Sequence, residues 1–266
     1  MRAYRIAYDG TPYHGFQRQP SVETVEGALF DALRDLGVLA ENADVPTGYA
    51  AAGRTDRGVS AVAQTIAFDA PAWLSPAAFN SELPESVRAW ASTDVRPDFH
   101  ATHHASAREY TYFLYAPHGD DDRARDALET LAGDHDFHNL TPDGSGTQRR
   151  LQTTLARDGP FLVLRFRADG FPRQLVRRAV SLVSGVVRGE HDVEHIARVL
   201  GPEPLLGPDG IPPAPPEPLV LTDVSYGLSF DVDREAVTRT REIFHDLHAA
   251  RASRARVAAE ILDSVR

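Results

Sequence analysis

The chain has 266 residues and a formal net charge of −10, from 28 basic and 38 acidic side chains. All the basic residues are arginines, since the chain contains no lysine, and it contains no cysteine. The missing cysteines exclude disulfides, thiolate metal sites and a thiol nucleophile. The missing lysines exclude a P-loop lysine and Schiff-base chemistry. The overall acidity argues against a general polyanion-binding protein, which would be basic.

Composition and the lack of long apolar runs indicate a folded protein that does not enter a membrane. Apolar residues make up 42% of the chain and charged residues 25%, as in globular proteins. The first ten residues alternate polar and apolar side chains, unlike a signal peptide, and no apolar run could span a bilayer. We expect a cytoplasmic protein that binds no membrane. The lysine-free composition fits a salt-rich (halophilic) cytoplasm or a GC-rich genome, and the sequence leaves both causes open.

Taken in chain order, the predicted elements mix helices and strands. Alternating or β-branched segments predict strands over 2–9, 61–69, 106–115, 161–168 and 219–227. Apolar residues at helical spacing predict helices over 22–38, 125–133, 173–187, 192–200 and 233–265, the first with Ser21 or Thr24 as N-cap. Eight prolines between residues 201 and 218 predict an extended loop.

This order of elements predicts an α+β fold built from two α/β halves. The boundary is expected near residue 104, so that residues 1–104 form the first half and residues 105–230 the second. Residues 231–266 then form a helical extension.

Positive charge is concentrated in residues 147–188 of this acidic chain. The segment contains nine arginines and two aspartates, a net charge of +7, whereas the rest of the chain carries −17. One interpretation is a phosphate-binding surface. The other is a set of arginines paired with carboxylates elsewhere in the fold, and the sequence does not separate the two.

The most informative segment is residues 52–61, which read A-G-R-T-D-R-G-V-S-A. Gly53 and Gly58 permit tight or left-handed backbone geometry around the Arg-Thr-Asp core. Such a loop can present Asp56 into a cleft. Taken alone, the segment is equally typical of a turn in which Thr55 or Asp56 caps the backbone.

This loop resembles the active-site motif A-G-R-T-D-x-G-V-x-A of the tRNA pseudouridine synthase A (TruA) family. Five further segments match that family in the same order: 8–10 with 13–19, 24–26, 80–84, 98–101 with the R-x-Y-x-Y strand at 107–112, and F-x-x-x-L-V-R at 171–177. The resemblance covers residues 2–227. Departures from the family pattern are Arg57, Ser60, Phe16, Pro218 and Leu175, the last in place of a common methionine.

The resemblance implies the pseudouridine synthase fold, with a mixed, mainly antiparallel sheet and an RNA cleft between the two halves. It implies an isomerase that converts uridine to pseudouridine in the anticodon stem-loop of tRNA, at nucleotides 38 to 40. The reaction adds no group and changes no oxidation state, so no cofactor and no metal is expected. The target base must be flipped out of its stem. The resemblance also implies a homodimer.

Catalytic roles follow from the same resemblance, position by position. Asp56 would contact the nucleoside, and the sequence leaves open whether it attacks the ribose C1′ or base C6 or abstracts a ribose proton. Arg177 would pair with Asp56, and Tyr110 would stack on the displaced uracil and offer its hydroxyl. Substrate-binding roles are expected for Arg54, Thr55, Tyr110, Leu175, Arg173 and Arg149. From the residues alone, Tyr110 would instead be a core aromatic and Arg177 a solvated helix residue.

Two alternatives belong to other function classes. His191 and His195 form an H-x-x-E-H pattern, which occurs in zinc hydrolases, although no third ligand is evident. A catalytically silent RNA-binding protein on the same scaffold is the other alternative, against which the intact Asp56 and Arg177 argue. His100, His103 and His104 could contact RNA at the edge of a cleft, but the favoured interpretation is that they are polar loop residues.

Overall fold

The structure is a computed structural model that describes residues 1–205 and 210–265. The strands are β1 (Arg2–Tyr8), β2 (Ala50–Ala51), β3 (Ser60–Phe68), β4 (Val87–Asp94), β5 (Ala107–Tyr115), β6 (Gly133–Asp136), β7 (Gln148–Asp158), β8 (Phe161–Ala168), β9 (Leu219–Ser225) and β10 (Asp231–Val232). The α-helices are α1 (Val25–Asp35), α2 (Pro76–Phe79), α3 (Asp121–Leu131), α4 (Leu175–Val187), α5 (Val193–Val199) and α6 (Arg234–Ser264). A short 3₁₀ helix covers His138–Leu140.

One sheet runs through the protein, in the order β10-β4-β1-β3-β9-β5-β8-β7-β6, and β2 pairs with β3 outside this path. Neighbouring strands are antiparallel except β3 and β9, which pair in parallel at Ser60 and Val220. The late strand β9 therefore lies between β3 of the first predicted half and β5 of the second. The predicted α+β fold with a mixed, mainly antiparallel sheet is confirmed.

Capping and apolar spacing explain why α1 forms where it does. The Thr24 hydroxyl accepts a hydrogen bond from the Gly27 N–H, which identifies Thr24 as the N-cap. Val25, Leu29 and Leu33 recur at helical spacing and are buried. The helix ends at Asp35, just before Gly37, whose φ is +67°. It is thus shorter at both ends than the predicted segment 22–38.

Two long strands, β4 and β7, were not predicted. In β4 the inward positions Val87, Ala89 and Ala91 are small, so the strand lacks the bulky alternating pattern. In β7 only Leu151 is buried, because most of the strand presents polar side chains to solvent. The other predicted strands and helices are present with ends shifted by up to four residues.

The proline-rich segment is loop over residues 201–205 and 210–218, as predicted, and residues 206–209 lie outside the described part of the chain. After β9 the chain returns to the first half, because β10 pairs with β4 and α6 packs against β4 and α2. Across residues 1–205 and 210–265, no helix combines the length and apolar character needed to cross a membrane.

Candidate active site

A cavity of about 820 Å³ opens beside the starts of β3 and β9, and residues of both predicted halves line it. The first half lines it with the 53–57 loop and the loop that follows β1. The second half contributes Tyr110 of β5 and the segment Phe171–Arg177, which leads into α4. The cavity therefore joins the segments that carry the family motifs.

The Asp56 loop is a tight turn held from both sides. The Val59 N–H donates to the Asp56 carbonyl oxygen at 3.1 Å, and Gly58 has a φ of +82°, which favours glycine. Gly15 has a φ of +104°, and a Cβ there would lie 3.0 Å from the Thr55 carbonyl oxygen. The two loops thus pack backbone against backbone, which fixes the direction of the Asp56 side chain.

Thr55 anchors this loop to the first strand. Its hydroxyl lies 2.8 Å from the hydroxyl of Tyr8, which is completely buried at the end of β1. Its carbonyl oxygen accepts a hydrogen bond from the Phe16 N–H at 3.0 Å. Thr55 lines the cavity, but its polar groups hold the loop in place.

Asp56 forms an ion pair with Arg177, which lies 121 residues further along the chain. Arg177 Nη1 donates to Asp56 Oδ2 at 2.9 Å, and its Nε donates to the Ala214 carbonyl oxygen at 2.7 Å. The Arg177 side chain is 14% exposed and that of Asp56 35%. The guanidinium is therefore fixed by the proline-rich segment, while Asp56 keeps one side open to the cavity.

Tyr110 forms an aromatic wall of the cavity. It is 8% exposed, and its ring meets that of Phe171 edge to face, with the centroids 5.2 Å apart. Burial raises the pKa of Tyr110 to about 12; nearby Arg108 partly offsets this and nearby Asp56 adds to it. The hydroxyl therefore stays protonated at neutral pH and can donate a hydrogen bond to a bound base.

Arg108 is a functional candidate to which the sequence analysis gave no role. It is buried, and its guanidinium donates twice to the Ala52 carbonyl oxygen, at 2.7 and 3.0 Å, and once to that of Asp169, at 2.5 Å. It therefore ties the start of the Asp56 loop to the second half. The available signal was its spacing from Tyr110, since residues i and i+2 of a strand share a face.

The other predicted binding residues differ in their relation to the cavity. Leu175 is buried in the lining, and Arg173 lines the rim, where its Nε and backbone N–H both donate to the Asp143 carboxylate. Arg54 lines the cavity and is exposed, and within the described residues it forms no ion pair. Arg149 is not in the lining; its Nε donates to the Gly170 carbonyl oxygen at 3.1 Å, behind Phe171.

Most of the arginines in residues 147–188 are paired. Within the described part of the chain, all except Arg165 and Arg178 have a carboxylate oxygen within 4.0 Å. Arg178 instead donates to Gln174 and to the Ile211 carbonyl oxygen. The structure thus favours the pairing interpretation of this segment over an open phosphate-binding surface.

The histidine motifs form no comparable site. The rings of His191 and His195 stack with their centroids 4.3 Å apart, and among the described residues no group of three potential ligands could hold a metal ion. His100 does line the cavity, next to His103 at 4.2 Å between ring centroids. Burial, followed by the charges of His103 and His104, lowers the pKa of His100.

Comparisons with known proteins identify the family to which the chain belongs. The sequence profile of the tRNA pseudouridine synthase family matches residues 127–227. The chain is 58% identical to tRNA pseudouridine synthase A of Haloarcula marismortui, with 100% of both chains covered, and 59% identical to that of Natronomonas pharaonis, with 97% of both covered. It is 36% identical to that of Methanosarcina mazei, with 99% of this chain and 97% of the relative covered.

A solved structure, the archaeal box H/ACA sRNP Nop10–Cbf5 complex, superposes with a TM-score of 0.37 and 12% identity, over 70% of this chain and 43% of that one. The family assignment rests on the sequence relatives, which align along nearly their whole length at 36% identity or more. The chain belongs to the tRNA pseudouridine synthase A family.

Proposed function

We propose that the chain isomerises uridine to pseudouridine at nucleotides 38 to 40 in the anticodon stem-loop of tRNA, with Asp56 as the catalytic carboxylate. The observation that carries this proposal is the Asp56–Arg177 ion pair, which faces a cavity walled by Tyr110. A cavity of about 820 Å³ has the size of a small-molecule site and can take one flipped nucleotide.

The reaction needs few protein groups. The N1–C1′ bond breaks, the uracil turns, and a C5–C1′ bond forms; N1 gains a proton and C5 loses one, so the atoms balance without a cofactor. A carboxylate can act at C1′, at C6 or on a ribose proton, and all three require it to be ionised and to face the nucleoside. Arg177 balances the charge of Asp56 and fixes Oδ2, so that Oδ1 remains for the substrate.

The walls of the cavity suit a uracil that turns in place. Tyr110 and Phe171 offer aromatic surface for stacking, and Leu175 offers an apolar contact that does not hold the base in one orientation. Arg54 is an exposed cation in this lining, forms no ion pair among the described residues, and can contact a phosphate next to the flipped nucleotide.

The remaining proposals concern the whole molecule. We place the enzyme in the cytoplasm, where tRNA is modified, and propose that it works as a homodimer in a salt-rich cell. We keep the division into residues 1–104, 105–230 and 231–266 as functional halves and an extension, because both halves contribute to the cavity.

The function is tested with unmodified tRNA and position-resolved mapping of pseudouridine. The wild-type chain should form product at nucleotides 38 to 40. Asp56→Ala should form none, whereas His191→Ala, as a matched control, should retain full activity. Product from Asp56→Ala would overturn the mechanism. Tight tRNA binding without product from the wild type would identify the silent RNA-binding alternative.

A further inference from the structure

The C-terminal helix α6 contacts the rest of the molecule mainly near its start, with one exception. Of its 31 residues only Ala236 and Thr240 are fully buried, close to where it packs on β4 and α2. Much further along the helix, Arg251 Nη2 donates to Asp9 Oδ2 at 2.7 Å and to the Thr11 hydroxyl at 2.7 Å. This contact bridges residues 242 positions apart.

Asp9 is an unusual partner for a helix that lies mostly in solvent. Its side chain is only 10% exposed, and its other oxygen, Oδ1, accepts hydrogen bonds from the backbone N–H and the hydroxyl of Thr11. Arg251 provides the opposite charge for Oδ2. A carboxylate this deeply buried needs a charged partner, because an uncompensated charge away from water is costly.

The segment that holds Asp9 presses directly on the loop that holds Asp56. A Cβ on Gly10 would lie 2.0 Å from the Val59 carbonyl oxygen, so the two backbones are in contact. The Gly10 N–H also donates to the Ser60 hydroxyl at 3.0 Å. On the other side of Asp9, Tyr8 holds Thr55 through its hydroxyl. Asp9 thus lies between two contacts that fix the Asp56 loop.

We propose that Arg251 is a positioning residue: its ion pair with Asp9 makes α6 a brace for the loop that carries Asp56. The inference depends on the proposed function only where activity is measured, because the contacts of Arg251 and Asp9 are seen in the structure itself. Arg251 touches neither the cavity lining around Asp56 nor Asp56 itself. The route we assign to its effect is through Asp9, Gly10 and Tyr8.

The test compares three full-length variants. Arg251→Ala removes the contact, Arg251→Lys keeps a positive charge, and Arg254→Ala removes a positive charge from the same helix at a site that, within residues 210–265, forms no ion pair. Because the Arg251 side chain is half exposed, water can reach Asp9 once that side chain is removed, so Arg251→Ala should lower kcat about fivefold with little change in KM. Arg251→Lys should recover most of this loss, and Arg254→Ala should match the wild type.

Amide hydrogen exchange gives a readout that does not depend on activity. Arg251→Ala should speed exchange in residues 8–16 and 52–60 relative to Arg254→Ala, with the exchange of β5 and β8 unchanged. Wild-type kcat in Arg251→Ala, or equal losses in both alanine variants, would overturn the proposal. Unchanged exchange in the 52–60 loop would also overturn it. If the wild type itself makes no pseudouridine, the proposed function fails while the exchange data still decide the role of Arg251.

Discussion

The cavity at Asp56 and the cavity at His191 and His195 both contain acidic and basic side chains, but different parts of the chain supply them. The cavity at Asp56 is built from segments of both halves, and its ion pair joins residues that are far apart in sequence and largely shielded. The cavity at His191 and His195 is larger, about 1030 Å³, but its lining comes from α3, the end of α4 and the region of α5, and His191 is exposed. The presence of reactive residue types is therefore weaker evidence for an active site than an ion pair that distant segments bring together and shield from water.

The largest loss of activity should come from removing Arg177 from this ion pair. Arg177→Met leaves Asp56 without its counter-charge and without a donor that fixes Oδ2, so we expect kcat to fall by about 10²- to 10³-fold. Arg177→Lys should lose almost as much, because a single ammonium nitrogen cannot take the positions of both Nε and Nη1, which bond the Ala214 carbonyl oxygen and Asp56. Single-turnover rates at saturating tRNA measure the loss. A rate within threefold of the wild type would mean that the pair is only structural.

Smaller losses of activity are expected at Tyr110, where two substitutions distinguish the contribution of the ring from that of the hydroxyl. Tyr110→Leu removes the stacking surface and should lower kcat/KM by about 10²-fold, whereas Tyr110→Phe should cost about tenfold or less. Since the pKa of Tyr110 is raised to about 12, the hydroxyl stays protonated up to pH 10. The pH–rate profiles of Tyr110→Phe and the wild type should therefore have the same shape between pH 7 and 10. An alkaline decline that Tyr110→Phe removes would contradict this.

We expect kcat/KM to depend only weakly on the salt concentration. Most arginines of residues 147–188 are already paired. Of the three exposed arginines in the cavity lining, Arg173 pairs with Asp143, which leaves Arg54 and Arg57 without an ion pair among the described residues. Two phosphate contacts predict a slope of log kcat/KM against log salt no steeper than about −2. Activity measured from low to molar salt gives the slope, and Arg54→Ala/Arg57→Ala should flatten it. A much steeper slope would show that long-range attraction dominates.

The smallest effect should appear at the second cavity. His191→Ala/His195→Ala should change the rate of pseudouridine formation less than about twofold, since exposed surface substitutions have little effect. Treatment with a chelator should likewise leave the rate unchanged. Loss of activity on chelation, restored by Zn²⁺ in the wild type but not in the double variant, would show that the cavity at His191 and His195 is needed for the reaction.

The sequence predicted local features better than the contacts between distant segments. Apolar spacing and Thr24 predicted α1, and the family motif singled out Asp56, Tyr110 and Arg177. The family resemblance indicated that Arg177 pairs with Asp56, but no local pattern could show it, because the contact depends on the position of β9 between β3 and β5 and on the Ala214 carbonyl oxygen, which holds the guanidinium. Side chains that point behind the cavity, such as Arg149, cannot be told from lining residues by charge alone.

The strands missed by prediction have the same kind of cause. Strand β4 is recognisable only through its neighbours, since two of its three inward positions are alanines, and β7 exposes most of its length. For Arg108 the residue was easy to find in the sequence but its role was not. It was visible in the R-x-Y motif, but its role depends on the carbonyl groups of Ala52 and Asp169, which come from opposite halves.

The position of β9 also has a consequence for how the enzyme is made. Because Val220 must pair with Ser60 before the sheet is continuous, the cavity cannot close until most of the chain has been synthesised. Contacts between residues so far apart form slowly, since a long loop must first be closed. We therefore expect the strands on the two sides of β9 to form separately in the nascent chain. The active site is then completed in one late step, when β9 pairs with both.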